Sequence, residues 1–112
     1  RDLVYTGTHD NDTTLGWYRS LDDRTRHYVN DYLATSGDGM PWPVIEAAFR
    51  SVCSLAVVPM QDFLGLGTEA RFNTPGTITN NWTWQLDWNF PEKDLSKTIA
   101  ESVKRHGRLP PV

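Results

Sequence analysis

The feature that most constrains this fold is a pair of short β-prone runs with a long helical pattern between them. Leu3-Val4-Tyr5 is followed by polar residues, and so is the apolar run over 55–60. The second run is too short and too evenly apolar for a surface helix, so it predicts a strand at 55–60 that is buried on both faces. Because strands joined by helices run parallel in α/β proteins, the order predicts two βα units.

The residues between the two strands predict helices over about 15–54. Thr13 or Thr14 can cap the first helix, and Ser20 followed by Asp23 fits the start of a second. Gly37 is expected to stop that second helix. Its predicted buried stripe consists of Leu21, Tyr28, Val29, Tyr32 and Leu33.

Two further helices follow from the pattern. Pro43 suits the first turn of one of them. A terminal helix over about 91–106 has basic residues near its end, where the helix dipole favours them, and Gly107 closes it. The predicted buried face of the helix that contains Pro43 consists of Ile45, Ala48, Phe49 and Val52.

Composition limits the possible partners of the chain. The net charge is -3 and no Lys/Arg block occurs, which argues against nucleic acid and anionic membranes as partners. No apolar run approaches the roughly 18 residues of a membrane span, and no signal peptide opens the sequence, so we expect a cytoplasmic protein. A lone Cys53 excludes a disulfide framework within the chain and is expected in the core.

Two βα units cannot close a sheet by themselves. A (β/α)8 barrel needs about 250 residues, and its active site lies at the carboxyl ends of the strands. The chain is therefore expected to be the last two βα units of such a barrel, incomplete as it stands. The segments 3–14 and 61–88 would then supply active-site loops, and the start at Arg1, without Met, favours a piece of something longer.

The first polar loop allows three interpretations. His9, Asp10 and Asp12 could ligate a metal, since a histidine with two carboxylates is a known ligand set. The carboxylates could instead bind sugar hydroxyls. The same residues could also be turn and cap residues, because Asp, Asn and Thr are common there. The loop lacks the Gly and the terminal Glu of a calcium loop.

The second polar segment also allows more than one interpretation. Asp62 directly follows the predicted strand, so it could point to the barrel mouth, cap a helix or pair with Arg71. Asn73 precedes Thr-Pro-Gly and could form an Asx turn. Trp82 and Trp84 would present both rings on one face of an extended segment, either for core packing or as walls that exclude water.

Four motifs in order resemble one family. Residues 5–13 (Tyr-Thr-Gly-Thr-His-Asp-Asn-Asp-Thr), 59–67 (Pro-Met-Gln-Asp-Phe-Leu-Gly-Leu-Gly), 71–76 (Arg-Phe-Asn-Thr-Pro-Gly) and 81–84 (Asn-Trp-Thr-Trp) are similar to motifs of the amylomaltases. These enzymes are 4-α-glucanotransferases related to α-amylases. Gln85 departs from the pattern, because the family more often has Arg there.

The resemblance implies a (β/α)8 barrel with inserted subdomains and a retaining transfer of α-1,4-glucan segments to the 4-hydroxyl of another sugar. An Asp attacks the anomeric carbon and a Glu serves as acid and then base, with the two carboxyls about 5–5.5 Å apart. A third carboxylate, matched by Asp10, stabilises the transition state. His9 and Asn73 match substrate-binding residues, whereas Asp12 is expected to orient the loop.

No metal or cofactor is expected. Because no motif here matches the nucleophile or the acid/base, both would lie before Arg1, and the chain alone would be inactive. Exposed strand edges would favour self-association of the chain or packing on the rest of the barrel. Three alternatives remain open: a non-catalytic carbohydrate-binding domain, a metal-dependent hydrolase and a structural helical domain.

Overall fold

The computed structural model describes residues 2–86 and 94–108. Part of the predicted loop over 61–88 and the start of the predicted helix over 91–106 lie outside these ranges. No helix in the described ranges is long and apolar enough to cross a membrane. The elements are β1 (Leu3–Tyr5), α1 (Thr14–Ser20), α2 (Asp23–Leu33), α3 (Trp42–Arg50), β2 (Leu55–Val57), α4 (Met60–Phe63), a 3-10 turn (Thr68–Ala70) and α5 (Leu95–Arg105).

The two strands confirm the predicted parallel pairing. Leu3 lies opposite Leu55 and Tyr5 opposite Val57, so these four side chains share one face of the sheet. All four are exposed in this chain by itself, so the predicted burial of the second strand on both faces is not reached within the chain. β2 is also shorter than the predicted 55–60. It ends ahead of Pro59, whose missing N–H cannot continue a ladder.

The first two helices follow local capping chemistry. Thr13 caps α1, as predicted, because its hydroxyl accepts a hydrogen bond from the Gly16 N–H at 3.0 Å. Asp22, rather than the Ser20–Asp23 pair, caps α2 by accepting from the Thr25 N–H at 2.7 Å. α2 ends at Leu33, and its C-cap residue Ala34 adopts the left-handed conformation, before the predicted stop at Gly37.

The predicted apolar stripe of α2 is wrong, since no residue of this helix is buried and Tyr32 is 80% exposed. Polar contacts hold α2 against α1 instead. The hydroxyl of the buried Tyr18 donates to Asn30 Oδ1 at 2.6 Å. Arg26 donates to the main-chain oxygens of Tyr18 and Arg19, in the last turn of α1, where carbonyl groups lack the i+4 partner of the helix interior.

The core lies around α3. Ile45 is fully buried, and Ala48 and Phe49 are nearly so, as predicted. Phe63 of α4 packs with its ring centre 6.5 Å from that of Phe49. Val52, predicted on the same face, is exposed because α3 ends at Arg50 and the helical period stops with it.

α5 packs on α3 through polar groups and closes with a glycine. Gly107 has a φ of 68°, its N–H donates to Lys104 and the next N–H donates to Val103. This is a Schellman ending, and it confirms the predicted role of Gly107. Arg108 then reaches the carbonyl groups of Phe49 and Cys53, at 2.8 and 2.9 Å, and so covers the end of α3. The predicted core residue Cys53 is only half-buried.

Candidate functional site

A cleft of about 680 Å³ opens at the carboxyl ends of β1 and β2. Its walls come from the two polar segments that follow the strands, as the pattern of the sequence predicts. Because parallel strands present their carboxyl ends at the same edge of a sheet, residues far apart in sequence meet here. The lining residues that the site uses are His9, Asp12, Thr13, Asp62, Arg71, Phe72 and Trp84.

The loop after β1 is shaped by its own side chains. Asn11 Oδ1 accepts hydrogen bonds from the Thr8 N–H and hydroxyl at 2.8 and 3.0 Å, and the Asn11 N–H donates back to the Thr8 carbonyl. This tight turn leaves His9 and Asp10 at its tip, with about half of each side chain exposed. Thr8 and Asn11 therefore hold the loop, and their hydrogen bonds leave the His9 and Asp10 side chains partly exposed.

Asp10 is contacted from both loops. Asn73 Nδ2 donates to Asp10 Oδ1 at 2.6 Å, and His9 Nε2 lies 3.3 Å from Asp10 Oδ2. Arg71 Nη2 donates to the main-chain oxygen of Asp10 at 2.9 Å. The three residues predicted for the site, Asp10, His9 and Asn73, are thus brought together by the fold.

The turn after Asn73 is built by other residues. Gly76 has a φ of 83°, which suits the third position of a Thr-Pro-Gly-Thr turn closed by the Thr77 N–H on the Thr74 carbonyl. Asn81 accepts from the Thr74 N–H at 2.9 Å and fastens the turn. The Asx interpretation of Asn73 is therefore wrong, since its described side-chain bond goes to Asp10.

Trp82 forms an aromatic wall beside His9. The two ring centres are 5.0 Å apart, and the Phe72 and Trp82 rings pack edge to face with their centres 4.6 Å apart. Trp82 has a φ of 59° and is 56% exposed, so neither the extended geometry nor the core packing predicted for it is correct. Trp84 is half-buried and lines the cleft. A non-glycine residue held at positive φ is a strained feature of the kind that clusters at ligand sites.

Asp62 is the most deeply buried carboxyl group near the cleft, with 2% of its surface exposed. Its two oxygens accept hydrogen bonds from the Thr14 N–H, the Thr14 hydroxyl and the Thr6 hydroxyl, at 2.9, 2.7 and 2.5 Å. Asp62 neither caps its own helix, whose N-cap is Pro59, nor pairs with Arg71. Both of those predictions are wrong; the carboxylate pins the two ends of the loop that carries Asp10.

Asp12 holds the architecture of the site. One of its oxygens accepts from the Thr13 N–H at 2.8 Å and the other from the Thr68 hydroxyl at 3.0 Å. Both carboxylate oxygens of Asp12 are therefore engaged within the protein. Among the described residues, no group of three or more His, Cys, Asp or Glu side chains converges in a way that could hold a metal ion.

The arrangement suits a ligand rich in hydroxyl groups. A carboxylate offers about four acceptor positions, so Asp10 can keep Asn73 and still accept from a bound molecule. The tilted rings of His9 and Trp82 supply an apolar surface beside it. Sequence reasoning missed the contacts of Thr6, Thr14 and Arg71, whose partners are 48 to 61 residues away along the chain.

Comparison with known proteins identifies one family. The family described as 4-alpha-glucanotransferase matches residues 1–90. The chain is 49% identical to the chloroplastic/amyloplastic 4-alpha-glucanotransferase of Arabidopsis thaliana, over 96% of this chain and 19% of that protein. It is 48% identical to the 4-alpha-glucanotransferase of Thermus thermophilus, over 77% of this chain and 18% of that protein. The chain thus spans about a fifth of the length of these relatives.

A solved structure supports the fold. The amylomaltase from Streptococcus agalactiae in complex with acarbose superposes with a TM-score of 0.91 at 24% identity, over 96% of this chain and 22% of that chain. Since the family match extends over residues 1–90 and relatives are nearly half identical, this chain belongs to the 4-alpha-glucanotransferase family.

Proposed function

We propose that this chain supplies one wall of the active site of a retaining 4-α-glucanotransferase, with Asp10 as the carboxylate that stabilises the transition state. The enzyme would transfer α-1,4-glucan segments to the 4-hydroxyl of an acceptor sugar. The observation that carries the proposal is the convergence of Asn73 and His9 on the Asp10 carboxylate, from two loops at the carboxyl ends of parallel strands.

Asp10 would accept hydrogen bonds from the 2- and 3-hydroxyls of the reacting glucose. Such bonds strengthen as the ring flattens towards an oxocarbenium ion. Asn73 fixes one carboxylate oxygen at 2.6 Å, so the orientation of Asp10 is set before the substrate arrives. Preorganisation of this kind lowers the barrier, because the charged group need not reorient during the reaction.

His9 and Asn73 would bind the same sugar. His9 Nε2 lies beside Asp10 Oδ2, and its ring is backed by Trp82, which limits its rotation. His9 would act as a hydrogen-bond donor and not as a base. The Trp82 and Phe72 rings would exclude water from this wall, which favours an acceptor sugar over hydrolysis.

The nucleophilic Asp and the acid/base Glu would come from residues that precede this segment in a complete enzyme. The chain would then form the last two βα units of a (β/α)8 barrel, and further strands would cover the exposed face formed by Leu3, Tyr5, Leu55 and Val57. Alone, the chain would be inactive and would self-associate through that face. The predicted cytoplasmic location stays a prediction, since one relative is named as chloroplastic or amyloplastic.

The test is the substitution Asp10→Asn in the complete enzyme. The amide keeps the size of the side chain but removes the charge, so we expect kcat for maltotriose disproportionation to fall by about 10³-fold or more. The melting temperature should stay unchanged, because Asp10 is half-exposed. Asp38→Asn, in an exposed turn, is the matched control and should keep full activity.

Near-normal turnover of the Asp10→Asn enzyme would overturn the proposed role of this carboxylate. Disproportionation of maltotriose by the isolated chain would contradict the placement of the nucleophile and the acid/base outside it. Thin-layer or mass-spectrometric detection of glucose and longer maltooligosaccharides serves both measurements.

A further inference from the structure

Arg71 connects the two loops that form the cleft wall. Its Nη2 group donates to the main-chain oxygen of Asp10 at 2.9 Å, and its Nε group donates to the main-chain oxygen of Asn73 at 2.9 Å. The two carbonyl groups belong to residues 63 positions apart, whose side chains are themselves hydrogen-bonded. One guanidinium group therefore fixes the backbone on both sides of the Asp10–Asn73 contact.

The chemistry of this contact requires arginine. The guanidinium is planar and presents its donors in a fixed fork, so the angle between its two hydrogen bonds is set by the group itself. A lysine ammonium at the same place is a compact charge on a flexible stem and cannot hold two carbonyl groups in a fixed relation. Arg71 is also half-buried against the cleft, which strengthens its hydrogen bonds relative to water.

We propose that Arg71 is a positioning residue of the transferase, which sets the distance and angle between the Asp10 and Asn73 side chains. This inference rests on the proposed function. Arg71 acts through the two main-chain carbonyl groups, and the side chains of Asp10 and Asn73 remain the groups that meet the sugar. Displacement of a reacting or stabilising group by about 1 Å can cost roughly 100-fold in rate, so loss of this clamp should appear in turnover.

The experiment compares Arg71→Lys and Arg71→Ala in the complete enzyme with maltotriose as substrate. Both variants should lose about 10- to 100-fold in kcat with a KM change below about threefold, because the clamp supports a contact that matters most in the transition state. Guanidinium chloride at low millimolar concentration should restore at least about a tenth of the lost activity to Arg71→Ala, whereas ethylammonium should not. Arg24→Lys, exposed on α2, is the matched control and should behave as wild type.

Each result separates this inference from its alternatives. Wild-type kcat in Arg71→Lys would overturn it, since charge alone would then suffice. A rise in KM at constant kcat would identify Arg71 as a direct sugar ligand and would also overturn it. A lowered melting temperature with no rescue by guanidinium would show a purely structural role. If the wild-type enzyme does not disproportionate maltotriose, the proposed function is wrong. That outcome is distinct from the results with the Arg71 variants, which concern only the role of Arg71.

Discussion

Two carboxylates of this chain, Asp10 and Glu46, have neighbours of similar residue types but are hydrogen-bonded in different ways. Asp10, at the tip of the loop after β1, meets Asn73, His9 and Arg71, while Glu46, between α3 and α5, meets Ser102, His106 and Arg105. At Glu46 the arginine spans both carboxylate oxygens, at 3.0 and 2.9 Å. At Asp10 the arginine instead reaches the main-chain oxygen.

The difference decides what each group can do. The Glu46 oxygens are shared among a hydroxyl, an imidazole and a guanidinium, so this carboxylate serves to join two helices. The Asp10 carboxylate accepts a hydrogen bond from Asn73 at 2.6 Å, and about half of its side chain is exposed. A carboxylate held firmly by part of its acceptor capacity is ready for a ligand, and residue types alone do not distinguish the two cases.

The largest effect on stability is expected at Asp62. This carboxylate binds Thr6 and Thr14, at the two ends of the loop that carries Asp10. Asp62→Asn replaces an acceptor with an NH₂ group that must face the donors Thr14 and Thr6. Because the site is almost fully buried, one or more donors would lose their partner, at a cost of about 2–4 kcal/mol. The free energy of unfolding, from urea titration of the complete enzyme, measures it.

Two controls accompany the Asp62 variant. Asp38→Asn has the same chemistry at an exposed position and should change the stability by less than about 0.5 kcal/mol. Asp62→Glu keeps the charge but adds a methylene, so it should be intermediate. A fully stable Asp62→Asn protein with an unchanged Asp10 loop would show that the three hydrogen bonds do not hold the loop.

The sequence predicts a structural feature best when the hydrogen-bond partners that form it are close along the chain. The cap at Thr13 and the helix end at Gly107 were predictable because their partners lie within five residues. That the loops carrying Asp10 and Asn73 lie at the same edge of the sheet was expected from strand order, since each loop follows a strand of one parallel sheet. The roles of these residues stay predictions.

Other features depend on long-range or unusual backbone geometry and were not predictable. The alternation of Trp82 and Trp84 assumes an extended chain, which the positive φ of Trp82 breaks. The tyrosines of α2 have helical spacing, yet periodicity does not reveal whether anything covers that face. For Asp62, a position after a strand indicated the cleft, but its partners Thr6 and Thr14 came only from the fold.

A smaller effect on stability is expected at Gly16, where α1 approaches Thr68 and Asp12. A methyl group at Gly16 would clash with Thr68 Oγ1 and would lie 2.6 Å from Asp12 Oδ1. Gly16→Ala should therefore separate Asp12 from Thr68 and destabilise the protein by about 1–3 kcal/mol, although alanine favours a helix by about 1 kcal/mol. Urea unfolding measures the change.

Gly39→Ala is the matched control for Gly16→Ala. Gly39 has no atom within 4 Å of the added methyl group, so we expect a change below about 0.5 kcal/mol. If both glycine variants are equally stable, the close approach of α1 to Thr68 has no energetic weight. The Asp12 carboxylate would then be free to move, and the loop that contains Asp10 and Asp12 would be less rigid than its hydrogen bonds indicate.

The smallest effect on stability is expected at Glu46, the second carboxylate of the comparison, and it depends on pH. Burial raises the pKa of Glu46, but hydrogen bonds from Ser102, His106 and Arg105 outweigh it and bring the pKa from 4.5 to about 2. Since the folded-state pKa is depressed, the stabilisation is complete above about pH 4.5 and is lost as the pH falls towards 2. Partial exposure of the carboxylate limits its size to about 1–2 kcal/mol.

Glu46→Gln removes this titration, so the stability difference between wild type and variant should be largest near pH 7 and should shrink as the pH falls below 4.5. Urea unfolding at pH 7, 4 and 3 measures it, and Glu101→Gln, exposed on α5, should show no such convergence. A difference that stays constant with pH would mean that Glu46 contributes by shape and not by charge. In that case the carboxylate would not be committed to its cationic neighbours, and the contrast with Asp10 would rest on exposure alone.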